Sequence, residues 1–295
     1  DSLDEAKQSF NILKSIKDMY AYYRFSQIYY QDKPNLQYNF PDNDRLNETS
    51  LEKLNVIYRD MLVHSDVSLF VTGDFDDDLF DDIIEKNLSD QIKTRPILHS
   101  VKDFPYDKNK EVKQVTEYAD VSQARVFIGF QTDIQHFSSL HPALGVFNDI
   151  FGGFDQSKLF MDIRERSHLA YYVDSHYLSE ENLVVIPIVC DFNQVTTVIE
   201  KVKKALQEII DGDFSDELLN QAKNNALNAL FSINDSQPIY LLQHIKTYHL
   251  LNDRYDLERR IKKYRSITKE DVIQAAKSLV LDSIYVYTKD VKNHG

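Results

Sequence analysis

Apolar residues recur at helical spacing through the first part of the chain, with polar residues between them. Leu3, Phe10 and Leu13 lie seven and three residues apart, which places them on one face of a helix. The same spacing continues through the aromatic residues that follow. It predicts one long helix over residues 1–30.

Two shorter elements and another helix follow. Thr49, with Glu52 three residues later, predicts the start of a second helix. The segment VSLFVTG, residues 67–73, is too short and too rich in β-branched side chains for a helix, so it predicts a buried strand. An acidic helix is predicted after it, over residues 78–86.

A polar stretch then interrupts the periodic pattern. It contains Pro96 and Pro105 and few apolar residues, which is typical of an interdomain linker. We therefore expect the C-terminal portion of a first domain at 1–88, a linker at 89–112 and a second domain at 113–295.

The second domain combines adjacent pairs of strands with several helices, which predicts an α+β fold class. The predicted strands are VKQVTEYAD, ARVFIGFQTD, AYYVDSHYL, NLVVIPIVCD and SIYVYT, and the predicted helices cover residues 138–151, 156–167, 194–210, 216–233, 238–251, 257–264 and 269–279.

The order of elements repeats within the chain. The segments that begin at Thr49 and Thr268 both predict a capped helix, a short break and an apolar strand. We therefore expect one complete α/β unit, preceded by the C-terminal part of a second, duplicated unit.

Composition narrows the classes of partner. The 295 residues include 34 Lys and Arg against 47 Asp and Glu, a formal net charge of -13 that repels nucleic acid and anionic membranes. No apolar run approaches the roughly 20 residues of a membrane-spanning helix. A single cysteine, Cys190, fits a reducing compartment, so we expect a cytoplasmic protein. The chain opens at Asp1 without a Met, which leaves open whether the natural protein begins upstream.

The spacing of the histidines does not match that of a helical zinc site. A helical pair of zinc ligands lies three or four residues apart, whereas His136 and His141, like His244 and His249, are five apart. Neither H-E-x-x-H nor the inverted H-x-x-E-H occurs. We predict no metal ligands in this chain and no zinc hydrolase complete in itself.

Two other candidate sites have simpler explanations. The run DFDDDLFDDIIE resembles a calcium-binding loop, but Leu79 stands where the sharp turn requires glycine. We predict that Asp76 and its neighbours cap a helix instead. Cys190 lies in an apolar strand, which predicts a small core residue and not a nucleophile.

The most specific pattern is ALGVFNDIFGGFDQSKLFMDIRERSHLAYYVDSHY, residues 143–177. An apolar helix ends in paired glycines, a Ser-x-Leu-Phe turn begins the next helix, and an Arg stands seven residues before a Tyr that opens a strand. This order resembles the pitrilysin/insulinase family of zinc peptidases with an inverted motif, which includes mitochondrial processing peptidase. The residues that carry the resemblance are Gly152, Gly153, Ser157, Arg164 and Tyr171.

The resemblance implies a fold like that of mitochondrial processing peptidase, in which one domain holds zinc and another contributes an Arg and a Tyr. Arg164 and Tyr171 match those catalytic positions, because a guanidinium and a phenol can stabilise the oxyanion formed from a peptide carbonyl. The paired glycines and Ser157 are implied in substrate binding. The sequence departs from the family at His168, where Gly is usual, and in lacking the zinc motif.

Three hypotheses follow from this resemblance. The chain is the non-metal half that completes the peptidase chamber of a partner and binds extended peptide by strand addition. Alternatively, it is a truncated fragment of a complete zinc metalloendopeptidase, or a non-catalytic scaffold of the same fold. The chain alone is expected to be inactive and to need no cofactor, with zinc only in a partner subunit or a missing N-terminal part. The expected partner is a zinc-containing subunit or a second copy.

Overall fold

The computed structural model describes residues 2–33, 47–65, 68–88, 106, 111–136 and 138–290. The chain forms two compact units. The predicted linker lies outside the described residues except at 106, 111 and 112. The first unit comprises Asp1–Phe10, Pro41–Val101 and Ile233–Tyr255, and the second comprises Asn11–Phe40, Lys102–Ser232 and Asp256–Gly295.

The second unit is built on a six-stranded sheet in the order β1-β6-β2-β5-β3, with β4 also paired to β5. β1 runs parallel to β6, and the other pairs are antiparallel. The five strands predicted for this part of the chain are present, but the segment AYYVDSHYL, predicted as one strand, forms two. The strands are β1 Lys113–Tyr118, β2 Ala124–Gln131, β3 Ala170–Val173, β4 His176–Leu178, β5 Leu183–Cys190 and β6 Val280–Thr288.

Ten α-helices lie within the described residues. They are α1 Ser2–Ser15, α2 Lys17–Tyr30, α3 Leu51–His64, α4 Asp77–Leu88, α5 His141–Asn148, α6 Val195–Ile210, α7 Asp216–Ile233, α8 Gln237–Leu251, α9 Leu257–Ser266 and α10 Lys269–Lys277. Two π-helices, Asp149–Gly153 and Phe160–Glu165, and two short 3₁₀ turns complete the regular structure. Helices and a mixed sheet together confirm the α+β class. None of the described helices combines the length and apolar character needed to span a bilayer.

Both faces of the sheet are buried, which explains why its central strands are almost wholly apolar. Along β5, Val184 and Ile186 point into the larger core with α5, α6 and α10, while Leu183 and Val185 point into a smaller core. That second core is covered by α2.

Helix α2 packs against the sheet, although the prediction places its residues in the first domain. Its aromatic side chains Phe25 and Tyr29 are fully buried against the sheet. Beyond its end, Lys33 donates a hydrogen bond to Asp282 Oδ2 at 3.0 Å, and both side chains are buried. The domain boundaries at 88 and 113 remain a prediction, and the structure groups residues 11–40 with the second unit.

The predicted long N-terminal helix is two helices. Ile16 leaves the helical conformation, with φ -91° and ψ 101°. The break preserves hydrogen bonding, because the Ile16 amide still donates to Ile12 O and its carbonyl accepts from Tyr20 N. Side-chain periodicity cannot reveal such a break, since apolar spacing continues across it.

The first unit contains α3, α4 and α8. The strand predicted for residues 67–73 is wrong for the described part, 68–73, which has no regular structure. An extended segment becomes a strand only where another strand takes up its backbone hydrogen bonds. Here Phe70 instead packs edge-on against Tyr248, with ring centroids 5.4 Å apart, and Gln237 Nε2 donates to Thr72 O.

Of the predicted internal repeat, both copies have the capped helix, α3 and α10, but only the second has the strand, because residues 68–73 form none. Only α10 has its apolar face buried. Ser50 caps α3, one residue after the predicted Thr49, and Thr268 caps α10 in a capping box with Asp271. Counted from each cap, apolar residues stand at the same four positions, 4, 7, 8 and 11 residues later. They are exposed in α3 (Leu54, Ile57, Tyr58 and Met61) and buried in α10 and just after it (Val272, Ala275, Ala276 and Leu279).

Candidate functional site

The motif segment folds around two π-helices. The first, Asp149–Gly153, continues directly from α5, and the second, Phe160–Glu165, leads toward β3. Such wider turns are rare and are often found at functional sites. The apolar periodicity predicted both segments as ordinary α-helix, because a wider turn leaves little trace in the sequence.

The paired glycines allow a close approach between the first π-helix and the turn after β3. A Cβ on Gly152 would lie 2.6 Å from Ser175 Cβ and 3.0 Å from Ser175 N, and one on Gly153 would lie 2.8 Å from Asn148 Nδ2. Asn148 and Ser175 fasten the approach, because Asn148 Nδ2 donates to Ser175 O at 3.0 Å. The absence of a side chain at Gly152 and Gly153 therefore serves packing.

Ser157 is fully buried. Its Oγ accepts a long hydrogen bond from Phe160 N at 3.4 Å, and its amide donates to Phe154 O at 3.0 Å. These contacts fix the turn that opens the second helical segment. A role for Gly152, Gly153 or Ser157 in substrate binding therefore stays a prediction.

Arg164 lies on the second π-helix and is exposed. Its guanidinium carbon stands 4.9 Å from the centroid of the Phe160 ring, a cation–π contact. Its Nε is 3.8 Å from Glu165 Oε1, with both side chains about half exposed. Ion pairs of this kind are weak, so the guanidinium is available to other acceptors.

Tyr171 lies in β3 at an irregularity in the pairing with β5. Ala170 pairs with Cys190 and Tyr172 with Val189, so Tyr171 is the extra residue of a bulge. Its side chain is 56% exposed, and its hydroxyl donates to Asp191 Oδ1 at 3.0 Å. That hydrogen bond and the Asp191 charge raise the pKa of Tyr171.

The structure brings Arg164 and Tyr171 onto neighbouring elements. The second π-helix packs against β3, and Leu169 N donates to Ile163 O at 2.9 Å. β3 is the last strand in the sheet order, and its outer side meets no other strand among the described residues. The elements that carry this guanidinium and this phenol thus lie side by side at a sheet edge.

The backbone at His168 explains why glycine is favoured at this position. His168 has a φ of 51°, in the left-handed region. Glycine occupies that region without strain, whereas a side chain with a Cβ does not. The sharp turn from the π-helix into β3 therefore favours the glycine that the family usually has there.

Comparison with known proteins identifies the family. The model of the family described as "Peptidase M16 inactive domain" matches residues 49–226, more than half of the chain. The chain belongs to this M16 family. The match confirms the pitrilysin-type resemblance.

Relatives of this M16 chain support the same assignment. A protein of Bacillus subtilis (strain 168) described as "Probable inactive metalloprotease YmfF" is 26% identical over 279 residues, which cover 95% of this chain and 65% of that protein. The chain therefore spans less than two thirds of that relative's length.

Solved structures share the fold. A conserved protein from Enterococcus faecalis V583 superposes with a TM-score of 0.84 at 22% identity, over 99% of this chain and 68% of that one. A peptidase M16 inactive domain from Pseudomonas fluorescens gives a TM-score of 0.73 at 14% identity, over 98% and 70%.

The described part of the M16 chain does not fit a zinc ion. It holds no group of three His, Cys, Asp or Glu side chains able to bind a metal, whereas zinc sites use three or four protein ligands. His136 and His141 have ring centroids 4.8 Å apart. Burial, with the nearby His136, lowers the pKa of His141 to about 3, so its imidazole is neutral.

Two minor predictions are confirmed. Cys190 is fully buried, and burial raises the pKa of its thiol to about 11, which makes it a poor nucleophile. Asp76 caps α4, because its Oδ1 accepts from Leu79 N at 3.0 Å.

Sequence reasoning missed Asp191, which accepts a hydrogen bond from the Tyr171 phenol, and Gln123, whose side chain acts to lower the pKa of that phenol. Neither belongs to a motif, and neither is near Tyr171 in sequence. Only strand register could have found them, because it brings the ends of three strands together.

Proposed function

We propose that this M16 chain is the non-metal half of a peptidase, which completes a chamber with a partner and binds an extended peptide. The observation that carries the proposal is the pair of exposed donors, Arg164 and Tyr171, on two packed elements beside a sheet edge that no described strand covers. A pair with a purely structural role would be buried in the protein.

The chemistry of the two side chains suits an acyl-transfer site. A guanidinium offers several N–H donors, and a phenol offers one O–H donor. Both can hold a substrate carbonyl and stabilise the negative charge that develops on its oxygen. An extended peptide could add to the outer side of β3 through main-chain hydrogen bonds, which would bring its carbonyls beside these donors.

The partner in this proposal is a zinc-containing subunit. A second copy of this chain would bring no H-x-x-E-H motif, because the sequence has none. A reducing, cytoplasmic setting completes the proposal, since the one thiol in the sequence is buried and free.

The test is peptide hydrolysis by the chain reconstituted with an H-x-x-E-H subunit. Arg164→Ala and Tyr171→Phe should each lower turnover about 10²–10³-fold, the loss typical of removing one oxyanion donor. Arg166→Ala and Tyr172→Phe are matched controls, because both side chains are exposed neighbours of the pair. They should leave turnover unchanged.

Unchanged turnover in the Arg164 and Tyr171 variants would favour the scaffold hypothesis and sink the proposal. Chelator-sensitive hydrolysis by the chain alone would also contradict it.

A further inference from the structure

Three strand ends meet near Tyr171. Ala124, at the start of β2, and Ala170, at the start of β3, both pair with Cys190 at the end of β5. Gln123 precedes the first of these residues and Asp191 follows the last. Strand register therefore delivers an amide and a carboxylate to the end of the sheet where the Tyr171 bulge lies.

One polar side chain binds the phenol of Tyr171 directly. The Tyr171 hydroxyl donates to Asp191 Oδ1 at 3.0 Å. The Gln123 side chain acts on the pKa of the same phenol in the opposite sense to Asp191 and lowers it, and the Gln123 backbone carbonyl accepts from Arg125 Nη1 at 3.2 Å. The one hydrogen of the Tyr171 hydroxyl is thus engaged by Asp191.

Packing holds the Tyr171 ring weakly, since the side chain is more than half exposed. A bulge re-aims a side chain but leaves a long aromatic free to turn about its rotatable bonds. Hydrogen bonds to the hydroxyl are therefore the contacts that can fix where the tip of the ring stands.

We propose that Asp191 is a positioning residue for Tyr171; the catalytic meaning of this assignment rests on the proposed function. The hydroxyl of a phenol carries one hydrogen, which Tyr171 donates to Asp191 at rest. Rotation about the bond between the ring and its oxygen redirects that hydrogen to a substrate oxyanion, while the ring stays in place. The carboxylate also keeps the hydroxyl protonated, because its negative charge disfavours the phenolate.

The neighbouring pair Tyr172 and Asp174 provides an internal comparison. Tyr172 donates to Asp174 Oδ2 at 3.2 Å, two residues away in sequence. Asp191 lies twenty residues from Tyr171, at the end of another strand. The two pairs are alike in chemistry, so each can serve as the control for the other.

The experiment is an NMR titration of the full chain labelled at tyrosine ¹³Cζ, with Tyr171→Phe and Tyr172→Phe used to assign the two resonances. Asp191→Asn should lower the pKa of Tyr171 toward its ordinary value and leave Tyr172 unmoved. Asp174→Asn should do the reverse. An unmoved Tyr171 titration in Asp191→Asn overturns the inference, whatever the role of Tyr171.

A second measurement links the contact to turnover in the reconstituted pair. Asp191→Asn should lower turnover about tenfold, less than removal of the donor itself, since the donor is misplaced and not lost. Asp191→Glu should recover part of that loss, and Asp174→Asn should have no effect.

A shifted Tyr171 titration with full turnover in Asp191→Asn would reject the positioning role. By contrast, full turnover in Tyr171→Phe and Arg164→Ala would reject the proposed function and leave the hydrogen-bonded contact standing.

Discussion

At the residue scale, His168 has a strained backbone conformation just before β3. Its φ of 51° lies where a Cβ crowds the backbone. A residue other than glycine held in this region lowers the stability of the fold by on the order of 1–3 kcal/mol, and substitution by glycine restores part of that stability.

We expect His168→Gly to raise the free energy of unfolding by about 0.5–1 kcal/mol, because relief of strain exceeds the extra entropy that glycine gains in the unfolded chain. Urea unfolding followed by circular dichroism measures it. His176→Gly is the control, since His176 is half exposed in β4, and it should lose about 0.5–1 kcal/mol. A loss in both variants would contradict the prediction.

Part of the candidate site could be predicted from the sequence and part could not. The motif spacing predicted Arg164 and Tyr171, and the structure brings their elements together. Asp191 and Gln123 were not predicted, because their position beside Tyr171 depends on the register of three strands. A hydrogen bond across a sheet has no counterpart in linear spacing.

At the element scale, α2 is fastened to the sheet through Glu117 on β1. The Glu117 carboxylate accepts from Tyr20 Oη at 2.6 Å, Arg24 Nε at 3.0 Å and Tyr285 Oη at 3.1 Å. Burial alone would raise its pKa, but these hydrogen bonds prevail and lower the pKa. The ionised form is therefore the one that binds α2.

We expect Glu117→Gln to lower the free energy of unfolding by about 1–2 kcal/mol at pH 7, since hydrogen bonds to a charged acceptor are lost. A depressed carboxyl pKa contributes stability above its unfolded value, and that contribution is lost as the pH falls through the folded value. The difference from wild type should therefore shrink below about pH 4.

Urea titrations at several pH values measure the effect of Glu117→Gln. Glu200→Gln is the control, because Glu200 is exposed and pairs only along its own helix with Lys203. It should be near neutral at every pH. A difference at pH 7 that persists undiminished in acid would contradict the assignment to the ionised carboxylate.

Elements with strong side-chain patterns could be predicted from the sequence. Elements whose formation depends on a neighbouring strand or on backbone conformation could not. The apolar strands β2 and β5 were found because both faces are buried and the β-branched runs are long. The segment 67–73 has the same kind of composition but no strand to pair with among the described residues. Composition alone therefore gave a wrong prediction of a strand. The break at Ile16 and the two π-helices alter backbone conformation without altering apolar spacing.

At the scale of the whole molecule, the two units differ in how much they bury. Both apolar cores lie in the second unit, whereas α3 in the first unit exposes its apolar face. Local stability follows the burial of apolar side chains around each segment. The first unit should therefore open more readily.

We expect amide hydrogens in β2, β5 and β6 to exchange at least about 10³-fold more slowly than those in α3 and α4. Hydrogen exchange followed by mass spectrometry measures this. Helix α6 is the control, because it is a helix of the second unit with one face buried. Protection of α3 equal to that of α6 would contradict the prediction.

The class of the molecule was predictable, whereas the grouping of its segments was not. Strand pairs with helices indicated α+β, and one motif of 35 residues indicated the M16 family. The N-terminal helices looked like part of the first domain because they precede it. Only the packing of Phe25 and Tyr29 reveals that α2 covers the sheet of the second unit.

The bulge in β3 has a consequence for how this surface can change. In a regular strand two consecutive tyrosines would face opposite ways, and one of them would enter the core. Here both Tyr171 and Tyr172 are exposed, between buried Ala170 and Val173. Deleting either tyrosine would restore the alternation and leave a single outward phenol, so the number of residues in this short strand, as much as their identity, preserves its chemistry.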